Sequence, residues 1–211
     1  MDADNNLIKN ADVYGFLHEP EQPSGNAIAL THGAGGNCNS QLLVRLAQAF
    51  ADAGWLVLRY DLPFRREGKG SPHPSKQGRD REGVRHAVSE LRKRSGGKIV
   101  AGGQSYGGRM TAMAAAEHPD LADGLLLLSY PLHPPGKPEQ KRTAFFPEWR
   151  TPALFVSGTK DPFASPEELR EAIAAIPAAK DVLLVEGAGH DLKRGADMAT
   201  DMLTRLHALV V

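Results

Sequence analysis

Lys98-Ile99-Val100-Ala101-Gly102-Gly103-Gln104-Ser105-Tyr106-Gly107-Gly108 decides how this chain reads. An apolar run enters the stretch, and an alanine-rich helical pattern from Arg109 to Glu117 leaves it. Between them lies Gly103-x-Ser105-x-Gly107, a G-x-S-x-G in a strand-turn-helix setting. A turn this tight leaves little room for side chains two positions either side of the serine, and glycine removes the Cβ atoms that would clash there. Ser105 then stands at a helix N-terminus, where free N–H groups and the helix dipole favour an alkoxide or oxyanion. The setting predicts a nucleophilic serine.

Outward from this point, short apolar runs alternate with helical patterns in both directions. Toward the N-terminus, residues 1–11 read as a loose or edge segment and Val13 to Leu17 as a first strand. Ala27 to Thr31 and Trp55 to Tyr60 read as buried strands. A helix is predicted from about Ser40 to Ala53 with Gly54 after its end, and another over roughly Asp80 to Lys93. The intervening stretch, Asp61 to about Gly78, reads as a polar loop. Toward the C-terminus, Gly124 to Leu128, Ala153 to Ser157 and Val182 to Val185 are predicted strands. Ser165-Pro166-Glu167-Glu168 is a capping box with proline at the first helical position, and a last helix is predicted from about Gly195 to Leu209. Strands alternating with helices imply a mostly parallel, doubly wound α/β sheet; no repeat or linker divides residues 1–211, so a single domain is expected.

Composition excludes several classes. Lys plus Arg balance Asp plus Glu, 25 against 25, which argues against nucleic acid or an anionic membrane as partner. The acidic start Met1-Asp2-Ala3-Asp4 is unlike a signal peptide, and no apolar run approaches the roughly 20 residues that span a bilayer. One cysteine, Cys38, rules out an internal disulfide and suits a reducing cytoplasmic setting. Scattered histidines make no metal cluster, so neither a metal nor a cofactor is expected.

Residues just beyond the carboxyl ends of parallel strands converge on one rim. Here those positions hold His32-Gly33-Ala34, Ser105, Asp161 and His190. A serine hydroxyl becomes a useful nucleophile only when a base takes its proton, and that base needs an acid to fix its tautomer. His190 is the expected base and Asp161 the expected acid; Asp191, adjacent to the histidine, is poorly placed to face its ring. The backbone N–H groups of Ala34 and Tyr106 are the expected oxyanion donors, with Gly33, Gly35 and Gly36 allowing close approach. His32 is expected to hold that loop.

Four motifs together, H-G-A-G-G after a strand, G-G-Q-S-Y-G-G-R, S-G-T-K-D-P-F and G-A-G-H-D, make the chain resemble the α/β-hydrolase superfamily over nearly its whole length. Within it, the chain is similar to small dienelactone-hydrolase-like bacterial proteins, testis-expressed hydrolase-like proteins and the hydrolase-like domain of a nuclear acetyltransferase-complex subunit. The resemblance implies an α/β-hydrolase fold of about seven or eight strands and a Ser-Asp-His hydrolase acting on small esters or related acyl compounds. True dienelactone hydrolases carry cysteine where this chain has Ser105. Only Pro131 to Arg150 is available for a cap, so an almost lidless site is expected. The kinship with a complex subunit keeps open a rival reading, a binding or scaffold protein on the same fold.

The rim from Asp61 to Gly78 and the helix after it carry Arg65, Arg66, Lys69, Lys76, Arg79, Arg81 and Arg85. Most belong to a solvated face, but Arg65 or Arg66 is a candidate for drawing in an anionic group. Phe64, Leu132, His133 and Phe163 are candidates, with Tyr106, for lining an apolar acyl pocket.

Overall fold

Alternation along the buried strands sets the architecture. Ala27 and Ala29 face one side of the sheet while Ile28 and Leu30 face the other; Leu125 and Leu127 likewise oppose Leu126 and Leu128. Both faces therefore need cover. The computed structural model describes residues 6–68 and 70–210, so the acidic first five residues and the rim position Lys69 lie outside the described residues. The strands are β1 Leu7–Lys9, β2 Tyr14–His18, β3 Ala27–Thr31, β4 Leu56–Tyr60, β5 Ile99–Gln104, β6 Gly124–Leu128, β7 Ala153–Gly158 and β8 Lys180–Val185. They form an eight-stranded sheet in the order β1-β2-β4-β3-β5-β6-β7-β8. β1 and β2 pair antiparallel at one edge, and every pair from β4 to β8 is parallel. The loose N-terminal segment foreseen from sequence thus contains a short edge strand.

The helices are α1 Gln41–Asp52, α2 Pro63–Glu67, α3 Gln77–Arg92, α4 Tyr106–Glu117, α5 Pro166–Ile173 and α6 Ala199–Val210. α1 and α6 cover one face through Leu43, Leu46, Phe50, Met202 and Leu206. α3, α4 and α5 cover the other through Val84, Val88, Leu91, Met110, Leu169 and Ile173. Burying a Leu or Ile side chain contributes about 1.5–3 kcal/mol, so these two layers carry the fold. α4 is nearly all small residues because its backbone touches the sheet: a Cβ at Gly103 would lie 2.7 Å from the Gly107 carbonyl carbon and 2.8 Å from the Gly108 nitrogen. The segment read as a polar loop after Asp61 instead contains α2. Pro63 pre-sets its first turn, and the Phe64 N–H is taken by Asp80 on α3 at 3.0 Å.

Between β6 and β7 the only helical piece is one three-residue 3₁₀ turn, Phe146–Glu148. Phe146 and Trp149 are fully buried and pack in edge-to-face contact 5.6 Å apart, tying this connection onto the α5 side of the sheet. No helical cap is inserted there, and the carboxyl ends of the central strands stay open.

Candidate active site

The site is built where β5 passes into α4. Ser105 takes φ +50° and ψ −116°, a conformation that costs on the order of 1–3 kcal/mol for a residue with a Cβ. The packing that enforces it is visible in its neighbours. A Cβ at Gly107 would lie 2.5 Å from the His32 carbonyl oxygen, so only glycine admits the loop after β3 so close to the serine. The Ser105 N–H continues the β5–β6 ladder to the Leu128 carbonyl at 2.8 Å, and the Arg109 N–H donates back to the Ser105 carbonyl at 2.9 Å. The hydroxyl is left to project from the turn.

Its partner is His190, whose Nε2 lies 2.7 Å from Ser105 Oγ. The other ring nitrogen, Nδ1, lies 2.9 and 3.0 Å from the two oxygens of Asp161. A carboxylate only accepts, so Nδ1 carries the proton and Nε2 receives the serine O–H. Asp161 is buried and also accepts the Phe163 N–H at 2.9 Å, which fixes its plane. The Phe163 ring stacks on the imidazole at 3.9 Å and 25°, holding the ring's tilt. An imidazole so placed can take the serine proton and stay positioned as an imidazolium against the carboxylate.

Acid and base come from two loops laced to each other. The Thr159 and Lys160 N–H groups donate to the Val185 and Ala188 carbonyls at 3.1 and 2.9 Å, and the Gly187 N–H donates to Thr159 Oγ1 at 2.8 Å. Gly158 makes this possible: a Cβ there would lie 2.5 Å from the Ala188 carbonyl carbon and 2.8 Å from the Gly189 oxygen.

On the opposite side of Ser105, the loop after β3 is held by His32. This histidine is fully buried; Nδ1 donates to the Gly33 carbonyl at 2.9 Å and Nε2 accepts the Leu62 N–H at 3.2 Å. Burial holds its pKa below the ordinary histidine value, in keeping with that neutral tautomer. The Gly33 carbonyl also receives the Gly36 N–H at 3.0 Å. Across a trans peptide the N–H points opposite to the C=O, so fixing the Gly33 carbonyl on that side turns the Ala34 N–H the other way. Among the described residues neither the Ala34 nor the Tyr106 N–H donates to another backbone group. Both residues line the same open cleft as Ser105 and His190, with a volume of about 690 Å³. The Tyr106 O–H donates to fully buried Asp80 at 2.6 Å.

Several residues expected at the rim are elsewhere. Phe64 is buried beneath the loop after β3, 5.6 Å from the His32 ring and edge-on to Tyr106 at 5.5 Å. Leu132 is fully buried, and His133 turns inward to donate from Nδ1 to the Pro134 carbonyl at 2.8 Å. Of the proposed apolar lining, Phe163 and Tyr106 border the cleft. Arg65 is spent on the Ala34 carbonyl at 2.8 Å, and Arg66 on the Asn10 and Ala11 carbonyls at 3.1 and 2.9 Å. Arg66 faces a separate concavity of about 370 Å³ shared with Arg79, Glu82 and His86. Among the described residues the cations that border the cleft are Arg109 and Arg142. Arg109 was legible as the residue one helical turn beyond Ser105; nothing in the Pro-rich connection singles out Arg142.

Among the described residues no cluster of three or more His, Cys, Asp or Glu suits a metal ion, and no helix is long and apolar enough to cross a membrane. Cys38 is buried, and burial followed by Asp61 pushes its thiol up to about 12. It is no nucleophile at neutral pH.

A parallel-centred sheet with a strained serine after its fifth strand, and an aspartate and a histidine beyond two later strands, defines the α/β serine-hydrolase fold. Residues 24–209 match the alpha/beta hydrolase domain family, and the chain belongs to it. Similar solved structures include an α/β serine hydrolase homologue from Coxiella burnetii (18% identity, 94% of each chain, TM-score 0.72). A dienelactone hydrolase from Anabaena variabilis superposes with TM-score 0.72 at 19% identity over 95% of each chain. A lidless α/β serine hydrolase from Xanthomonas campestris does so with TM-score 0.75 at 15% identity, over 94% of this chain and 92% of that one.

Proposed function

We propose that this protein is a carboxylesterase-like serine hydrolase, cleaving small esters or related acyl compounds through an acyl-enzyme. The observation that carries the reading is the unbroken hydrogen-bonded chain Ser105–His190–Asp161, with its serine held at positive φ in an open cleft. The dienelactone hydrolase among the similar folds supports a small ester or lactone as substrate.

In this reading His190 Nε2 takes the proton as Ser105 Oγ bonds to the acyl carbon. The carbonyl oxygen becomes an oxyanion between the Ala34 and Tyr106 N–H groups. Collapse expels the alcohol, which receives the proton from His190. Water, with its proton taken by the same imidazole, then releases the acid and restores Ser105. Asp161 keeps the Nδ1–H tautomer throughout and does not itself take the proton. His32 acts one step back, by aiming the Ala34 N–H.

Turnover of p-nitrophenyl esters by the purified protein tests this. Ser105→Ala and His190→Ala each should lower kcat by about four orders of magnitude or more, with Tm nearly unchanged. A folded protein without ester turnover, or a Ser105→Ala variant that unfolds, would move weight to the scaffold reading.

A further inference from the structure

We infer that Arg109 and Arg142 form a carboxylate-binding subsite within the Ser105 cleft, so that the favoured substrates are esters carrying a carboxylate a few bonds from the scissile carbonyl. This deepens the hydrolase reading and rests on it.

Arg109 sits one turn after Ser105, linked to it by its own N–H on the Ser105 carbonyl at 2.9 Å. Side chains on a helix lean toward its N-terminus, so the Arg109 side chain returns over the turn that holds the serine. It borders the cleft, yet its Nε is buried without an acceptor among the described residues. No carboxylate of the described residues lies within ion-pair distance of either Arg109 or Arg142. Other half-buried arginines here are answered: Arg81 by Glu117 at 2.9 Å and Arg205 by Asp181 at 2.6 Å.

Arg142 reaches the same cleft from the β6–β7 connection. Its backbone is anchored on both sides, N–H to the Leu132 carbonyl at 2.7 Å and C=O from the Tyr130 hydroxyl at 3.0 Å. Its guanidinium has one long contact, to the Pro131 carbonyl at 3.3 Å. Burial first, and Arg109 second, hold the Arg142 pKa below the ordinary arginine value, so the two cations sense each other. The carboxylates nearby do not neutralise them: Asp161 is committed to His190, and Asp191 on the cleft border lies 3.6 Å from Lys193. Two guanidinium forks without an anion, beside a nucleophile, match a planar carboxylate.

The test compares p-nitrophenyl hydrogen glutarate with p-nitrophenyl pentanoate, acyl chains that differ by the terminal carboxylate. The wild-type kcat/KM ratio should favour the glutarate by about tenfold or more, a preference expected of charge-assisted hydrogen bonds. Arg109→Gln and Arg142→Gln should each lower that ratio by about tenfold, Arg142→Lys should restore part of it, and raising salt should weaken it. A merely structural role would lower both esters together and leave the ratio standing. If 4-carboxyphenyl pentanoate is preferred over phenyl pentanoate while the glutarate is not preferred, with the same arginine dependence, the subsite serves the alcohol half and is upheld. A ratio near one for both pairs, unmoved by either arginine, would overturn the inference while pentanoate turnover kept the hydrolase reading. A readout without turnover is calorimetric titration of Ser105→Ala protein with monomethyl glutarate against methyl pentanoate. Heat from the first alone, abolished by adding Arg109→Gln, is expected; equal absence of binding, together with a ratio near one for both pairs, overturns the subsite.

Discussion

Replacing Gly158 by alanine should uncouple the acid and base loops without touching any of the three polar side chains. The new methyl would stand 2.5 Å from the Ala188 carbonyl carbon and 2.8 Å from the Gly189 oxygen, where about 3.4 Å is ordinary contact. Both obstacles are backbone, so the histidine loop must retreat by most of an ångström. That retreat stretches the Lys160 N–H bond to Ala188, now 2.9 Å, and draws His190 Nε2 away from Ser105 Oγ, now 2.7 Å. Overpacking of this kind costs about 1–3 kcal/mol of stability. A misplacement of about 1 Å at reacting groups costs on the order of a hundredfold in rate. Urea denaturation and kcat/KM on a p-nitrophenyl ester measure the two losses. Gly96→Ala, with open space around its Cβ, serves as a control expected to change stability by no more than about 0.5 kcal/mol. A Gly158→Ala protein with wild-type rate and stability would refute the claim that close backbone packing sets the His190 position.

The remaining predictions concern the supports around the site. Tyr106→Phe removes one of two donors to fully buried Asp80 and should cost about 1.5–3 kcal/mol in urea denaturation; an unchanged midpoint would contradict the buried bond. Ser165→Ala removes the hydroxyl that accepts the Glu168 N–H at the start of α5, leaving only the backbone N–H bond to the Glu168 carboxylate, and should cost about 1 kcal/mol by the same assay. His18 accepts the Arg59 Nε–H at 2.8 Å, and burial followed by Arg59 lowers its pKa from 6.5 to about 4. The unfolded chain therefore binds the proton first, so stability falls as pH drops from about 6.5 toward 4. The Tm loss between pH 7 and pH 5 should be smaller in His18→Gln than in wild type; an equal loss would clear His18 of that role.

What could be read from residues alone follows how local the constraint is. Gly103 and Gly107 are demanded by one turn, so the serine elbow shows itself within five residues. Asp161 and His190 follow strands whose apolar runs are easy to see, and the parallel sheet brings both to Ser105. The edge strand β1 was hard to see because three residues, Leu7–Lys9, make too short an alternation. The rim was misread for a different reason. Phe64 and Arg65 looked like cleft residues by position, but the Asp80 bond to the Phe64 N–H sets α2 so that Phe64 packs beneath the loop after β3 and Arg65 reaches the Ala34 carbonyl. Which way a side chain leaves a short helix depends on such long-range bonds, not on neighbouring residues. Arg142 is the extreme case, placed by bonds to Leu132 and Tyr130 in an irregular connection.

Treating the folded protein with a fluorophosphonate and mapping the product by mass spectrometry tests the central claim most directly. A single phosphonyl adduct on Ser105, absent in Ser105→Ala and formed far more slowly in His190→Ala, is the predicted result. No adduct on folded protein, or an adduct on another residue that forms equally well without Ser105, would contradict it.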